Sequence, residues 1–89
     1  NLVLYLEKLI MSYYSNPFKY NITKHAIRRA RERLHLENSN DYYIHEKLEE
    51  CLENSVLERT DNSGTVYKNL QNNITIIVDE RIKIIKTVY

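Results

Sequence analysis

Glycine, proline and cysteine each occur once in these 89 residues, at Gly64, Pro17 and Cys51, and tryptophan does not occur. A lone cysteine cannot close an internal disulfide, so no cysteine framework argues for an oxidising compartment. Metal-ligand spacing is missing as well. Cys51, His25, His35 and His45 form neither a CxxC nor an HxxxH pattern, which argues against zinc, and no cofactor is expected. Nor is there a long apolar run. The most apolar stretch, Leu2 to Met11, includes Glu7 and Lys8 and is far too short to span a bilayer. It also lacks the basic start and small-residue cleavage site of a signal peptide. The expectation is a cytoplasmic protein with no membrane association. Internal repeats and low-complexity tracts are absent too. What is left is a chain of one domain, residues 1–89, near the small end of what folds without staples. Its hydrophobic share of 43% is enough for a modest core.

The net charge of +1 hides an asymmetry. Residues 19–35 carry Lys19, Lys24, Arg28, Arg29, Arg31 and Arg33 against Glu32, a net of +5. Residues 36–53 carry Glu37, Asp41, Glu46, Glu49, Glu50 and Glu53 against Lys47, a net of −5. This layout predicts one basic and one acidic surface, and the basic one suits a polyanion. The competing explanation is that the two segments neutralise each other.

Hydrophobic periodicity predicts helices first and strands after. Leu2 to Ser15 reads as a helix ended by Asn16-Pro17. Phe18, Tyr20 and Ile22 alternate like a short extended link. Thr23 is a good N-cap for an amphipathic helix reaching about Leu34, with Ala26, Ile27, Ala30 and Leu34 on one side. His25, Arg28, Arg29 and Glu32 gather opposite, with Arg33 at the margin. Asp41 is expected to cap another helix, about Tyr42 to Glu53, burying Ile44, Leu48, Cys51 and Leu52. Four β-like segments follow: Val56–Thr60, Thr65–Leu70, Ile74–Val78 and Arg81–Tyr89. The turns between them are short enough to force antiparallel neighbours. In the last strand, strict alternation sets Ile82, Ile84, Lys86 and Val88 against Lys83, Ile85, Thr87 and Tyr89. The predicted fold class is α+β: two to three N-terminal helices packed on a four-stranded antiparallel sheet.

The informative stretch for chemistry is His25 to Arg33. His25 and Arg29 are four apart and share a helix face, and Arg33 lies one turn further on. A histidine shuttles protons near neutral pH. An arginine presents a planar fork of donors that matches phosphate oxygens. RNA transesterification needs little more. A base takes the 2′-hydroxyl proton, a cation stabilises the phosphorane, an acid protonates the leaving oxygen, and no metal is required. His25 also sits in the first turn of its helix, where free N–H groups favour an anion. Lys24 and the arginines, Arg28 among them, reinforce that attraction; the competing explanation is that His25 simply hydrogen-bonds a neighbouring strand. An arginine-rich helix is equally what a solvated face looks like. Among eight tyrosines, Tyr67 and Tyr89 fall on predicted strands, placed for base stacking or for cross-strand packing. His35 and His45 have no partner pattern and read as surface residues. Cys51 reads as buried and inert.

The segment HAIRRARERL resembles the opening H-A-x-x-R-x-x-x-R motif of a small phage and bacterial family of uncharacterised domains. The matches are His25, Ala26, Arg29 and Arg33, then Val66-Tyr67, then Ile85-Lys86-Thr87-Val88-Tyr89 at the end. The chain departs from that pattern at Leu34, where a glycine is usual, and over Leu36–Asn40, which is longer. The family is similar to the barnase–EndoU–colicin–RelE (BECR) group of metal-independent ribonucleases, many of them toxins. That group's fold is helices on a four-stranded antiparallel sheet, and here it would span residues 20–89. The resemblance implies His25 as general acid or base, Arg29 and Arg33 as a phosphate clamp, and Tyr67, Thr87 and Tyr89 as auxiliary groups. The leading expectation is therefore a metal-independent endoribonuclease-like domain, a toxin or phage effector acting on RNA. The alternatives are a non-catalytic nucleic-acid binder on the same helix, or a protein-interaction module. As the latter, a phage inhibitor, antitoxin or immunity protein would use the acidic helix. The expected partners are RNA and, on the protein side, a cognate antitoxin or host protein.

Overall fold

A computed structural model describes residues 18–89; the helix expected over residues 2–15 lies outside the described residues. The first described helix, α1 (Lys24–Arg33), begins where predicted. Thr23 is extended, with φ −80° and ψ 156°, and its hydroxyl accepts from the Ala26 N–H at 3.0 Å. That bond satisfies one of the unpaired donors of the first turn. Ala26, Ile27 and Ala30 are buried, and the two alanines let the helix backbone come close to the sheet. The helix ends in a Schellman-type turn. Leu36 N–H donates to the Arg31 carbonyl at 2.9 Å and His35 N–H to the Glu32 carbonyl at 3.3 Å. His35 takes φ +57°, the left-handed position that glycine usually fills. It is exposed, as expected.

The second helix, α2 (Asp41–Glu53), buries Ile44, Leu48 and Cys51. Its cap is Asn40 rather than Asp41: Asn40 Oδ1 accepts from the Tyr43 N–H at 2.8 Å. Both side chains cap well, and moving the cap back one residue leaves Asp41 to pair with Arg31 at 2.6 Å.

The strands are β1 (Asn21–Ile22), β2 (Val56–Asp61), β3 (Gly64–Asn69), β4 (Ile74–Asp79) and β5 (Ile84–Val88). They form one sheet in the order β1-β5-β4-β3-β2. The predicted α+β class holds, but the sheet is five-stranded and mixed rather than four-stranded and antiparallel. The additional strand is the expected extended link. It lies parallel to β5, with Asn21 opposite Ile84 and Ile22 opposite Ile85. Helix α2 holds it there. Glu49 accepts from the N–H groups of Lys19 at 2.8 Å and Tyr20 at 3.2 Å. His45 Nε2 donates to the Tyr20 carbonyl at 2.8 Å, and the His45 ring stacks on Phe18 with centroids 3.7 Å apart. His45 is thus a half-buried brace and not the free surface residue expected from sequence.

The core lies between the helices and one face of the sheet, where Ile74, Ile76 and Val78 of β4 and Ile85 and Val88 of β5 meet the buried helix residues. Ile85 and Val88 are three apart, which strict alternation forbids. The reason is a bulge. Val78 pairs with Ile85 and Ile77 with Thr87, leaving Lys86 without an opposite number. The predicted two-faced pattern of the last strand is corrected accordingly, and residues 80–83 are turn, with Ile82 exposed. Val66 and Ile77, paired across β3 and β4, are buried outside the core cluster, on the other face of the sheet. Gly64 opens β3 at φ +128°, and a Cβ there would sit 2.7 Å from the Val78 carbonyl oxygen.

Candidate nucleic-acid interface

The first turn of α1 is bolted to β5. Thr23, besides capping the helix, donates its hydroxyl to the Lys86 carbonyl at 3.0 Å, and its N–H reaches the Ile85 carbonyl at 3.2 Å. The bulge residue Lys86 therefore serves as the anchor, and the next residue, Thr87, comes against the helix. His25 Nε2 lies 2.9 Å from Thr87 Oγ1, and its Nδ1 lies 3.3 Å from Arg28 Nη2. One turn along, Arg29 Nε donates to the Val88 carbonyl at 3.3 Å, and its Nη1 pairs with Glu32 at 3.2 Å. His25, Arg28, Arg29 and Thr87 thus form one group, three of its side chains carried by the helix and one by the strand.

The remaining predicted residues divide. Lys24 and Arg33 are exposed on α1. Tyr89 is 51% exposed just past β5, its backbone paired with Thr75 in both directions at 2.8 and 3.0 Å. Tyr67 is not brought to His25. Its hydroxyl donates to Glu80 Oε1 at 2.7 Å, and the Tyr20 hydroxyl donates to the same oxygen at 2.6 Å. Lys83 Nζ completes that second cluster at 2.8 Å from Glu80 Oε2.

Sequence reasoning missed the Glu80 cluster. Its members are scattered from position 20 to position 83, and only the surplus of tyrosine hinted at it. Partial burial pushes the Glu80 pKa up. Bonds from Lys83, Tyr20 and Tyr67, with the Lys83 charge, outweigh burial and bring it down to about 2. The Tyr20 hydroxyl is pushed up, first by burial and then by the Glu80 carboxylate. That of Tyr67 is raised chiefly by its hydrogen bond to Glu80. Such a carboxylate stays ionised and such phenols stay protonated at neutral pH, so the cluster ties β1, β3 and the β4–β5 turn together and moves no proton there.

Among the described residues, most of the α1 cations have no carboxylate partner on α2. Helix α1 carries Lys24, Arg28, Arg29, Arg31 and Arg33 against Glu32. Among the described residues, Arg31–Asp41 is the one ion pair between the helices. The carboxylates of α2 go elsewhere: Glu49 to the backbone before β1, and Glu50 to Lys47 at 3.5 Å. Mutual neutralisation therefore accounts for one arginine of four. Cys51 is buried, which raises its thiol pKa, and its carbonyl accepts from the buried Asn69 at 2.9 Å. Among the described residues no cluster of His, Cys, Asp or Glu has the make-up of a metal site. No described helix is long and apolar enough to cross a membrane. Comparison with family models, curated proteins and solved structures finds no match to this chain.

Proposed function

We propose that the His25–Arg29–Thr87 group is an RNA site and that the domain is a metal-independent endoribonuclease of the toxin or phage-effector kind, acting in the cytoplasm. The observation that supports this best is the setting of His25. Its imidazole is held by Thr87 Oγ1 at 2.9 Å in the first turn of a basic helix, beside an arginine anchored on the neighbouring carbonyl. A histidine fixed beside guanidinium groups is what cleavage through the ribose 2′-hydroxyl asks for. Arg29 spends its Nε and one Nη1 proton on Val88 and Glu32. Among the described residues its other three donors have no partner and suit phosphate oxygens, with Arg33 and Lys24 extending the track. The resemblance to the uncharacterised H-A-x-x-R-x-x-x-R family, itself similar to the BECR group, points the same way through His25, Arg29 and Thr87, which lie together.

One observation favours a second reading, RNA binding without cleavage. Tyr67 belongs to the Glu80 cluster, so among the described residues His25 is the one group near Arg29 and Thr87 suited to proton transfer around neutral pH. The test is a fluorescence-quenched single-stranded RNA in EDTA. Cleavage by the wild type and none by His25→Ala supports the enzyme. Salt-sensitive binding by both, with no cleavage by either, transfers the site to the binding reading.

A further inference from the structure

The two hydrogen bonds on the His25 ring determine where its proton sits. A guanidinium only donates, so Arg28 Nη2, 3.3 Å from Nδ1, is directed at a bare lone pair. Nε2 therefore carries the hydrogen and donates to Thr87 Oγ1. In a neutral imidazole this leaves Nδ1 as the single nitrogen able to accept a proton. We infer that His25 acts through Nδ1, and that Arg28 covers this nitrogen until a phosphate of bound RNA draws the guanidinium away. The inference rests on the RNA-cleavage reading of the same site.

The energetics favour the exchange. At 3.3 Å, the contact of Arg28 with a neutral nitrogen is long. A bidentate guanidinium–phosphate contact makes two shorter bonds, each between opposite charges. Arg28 is exposed, so it swings without disturbing the core, whereas Arg29 is anchored to Val88 and stays. Phosphate binding and release of the base then become one event. With Nδ1 uncovered, the 2′-oxygen attacks phosphorus, its proton passes to Nδ1 and the bond to the 5′-oxygen breaks. Solvent water protonates the departing oxygen, and the imidazolium returns its proton to solvent. The products are a 2′,3′-cyclic phosphate and a 5′-hydroxyl. Thr87 is the positioning residue, because its hydroxyl holds the ring at Nε2 and accepts the Nε2 hydrogen of the tautomer that Arg28 selects.

The test is long-range 1H–15N correlation of the His25 ring in 15N-labelled protein at pH 8, for the wild type and Arg28→Ala. A 2′-deoxy dinucleotide, which cannot be cleaved, serves as the probe. The expected result is Nε2–H and a bare Nδ1 in the free wild type. Adding the dinucleotide should shift the Nδ1 signal, and Arg28→Ala alone should reproduce that shift. A proton on Nδ1 in the free protein overturns the inference. So does an Nδ1 signal indifferent to Arg28→Ala, or failure of millimolar dinucleotide to move Arg28. Absence of RNA cleavage with the expected ring signals would instead overturn the enzyme reading and leave the phosphate-linked exchange standing.

Discussion

Replacing Glu80 by glutamine removes the charge on which Tyr20, Tyr67 and Lys83 converge. The carboxyl falls from an ordinary value of 4.5 to about 2 on folding, which counted in full is about 3 kcal/mol. Its side chain is 32% exposed, so solvent screening reduces this to about 1–2 kcal/mol. The sign follows from the direction of the shift. A depressed folded value stabilises the fold fully above about pH 4.5, and that contribution fades as pH falls towards about 2. Wild type should therefore exceed Glu80→Gln by about 1–2 kcal/mol at pH 7, or roughly 6–12 °C in Tm for a domain of this size. The two should converge in acid. The raised Tyr20 and Tyr67 values add an alkaline limb, on which stability is lost as pH rises beyond the ordinary tyrosine value of 10.0. Urea unfolding followed by circular dichroism at pH 7, 4 and 2.5 reads the acid side, and the same assay on the alkaline side of the ordinary tyrosine value reads the other limb. Equal stability at pH 7, or a gap that persists unchanged at pH 2.5, would refute the assigned role of Glu80.

Gly64→Ala should lower stability by about 2–4 kcal/mol in the same urea assay. Its φ of +128° is strained for any side chain and the new Cβ meets the Val78 carbonyl at 2.7 Å. Unchanged stability would mean that the β2–β3 turn is not as described. His35→Gly should instead raise stability by about 1 kcal/mol, because His35 holds a left-handed φ of +57° at the end of α1; a drop in Tm would contradict the Schellman-type ending. Arg29→Ala should weaken binding of a single-stranded RNA and reduce the log–log salt slope by about 0.7, the share of one phosphate contact. Titration by fluorescence anisotropy between low and moderate salt measures it, and an unaltered slope would remove Arg29 from the interface.

Much of the architecture was legible because it depends on local pattern. Thr23 followed by Ala26, Ile27 and Ala30 announces both the start and the buried face of α1, and Ile44, Leu48 and Cys51 announce the buried face of α2, whose cap falls one residue earlier than expected. The three hairpins followed from their turns. The misses each involve a partner distant in sequence. β1 is two residues long and exists because Glu49 and His45 hold the backbone before it, 25 to 30 positions away. The Lys86 bulge is invisible to an argument from alternation. It decides that Ile85 and Val88 face the core together, and with the Thr23 bond to Lys86 it sets Thr87 beside His25. For the site, the helix face was legible from the spacing of His25 and Arg29. Grouping Tyr67 with them was not sound as geometry, because a strand position says nothing of the carboxylate waiting at Glu80.

The central claim, that His25 is the proton-transfer group of an RNA-cleaving site, is tested most directly by end-group analysis. A mixed-sequence single-stranded RNA would be incubated in EDTA with wild type or with His25→Ala, the variant being checked for unchanged circular dichroism. The account predicts fragments ending in 2′,3′-cyclic phosphate from the wild type and intact RNA from the variant. Equal cleavage by both proteins, or wild-type fragments without cyclic ends, would contradict it.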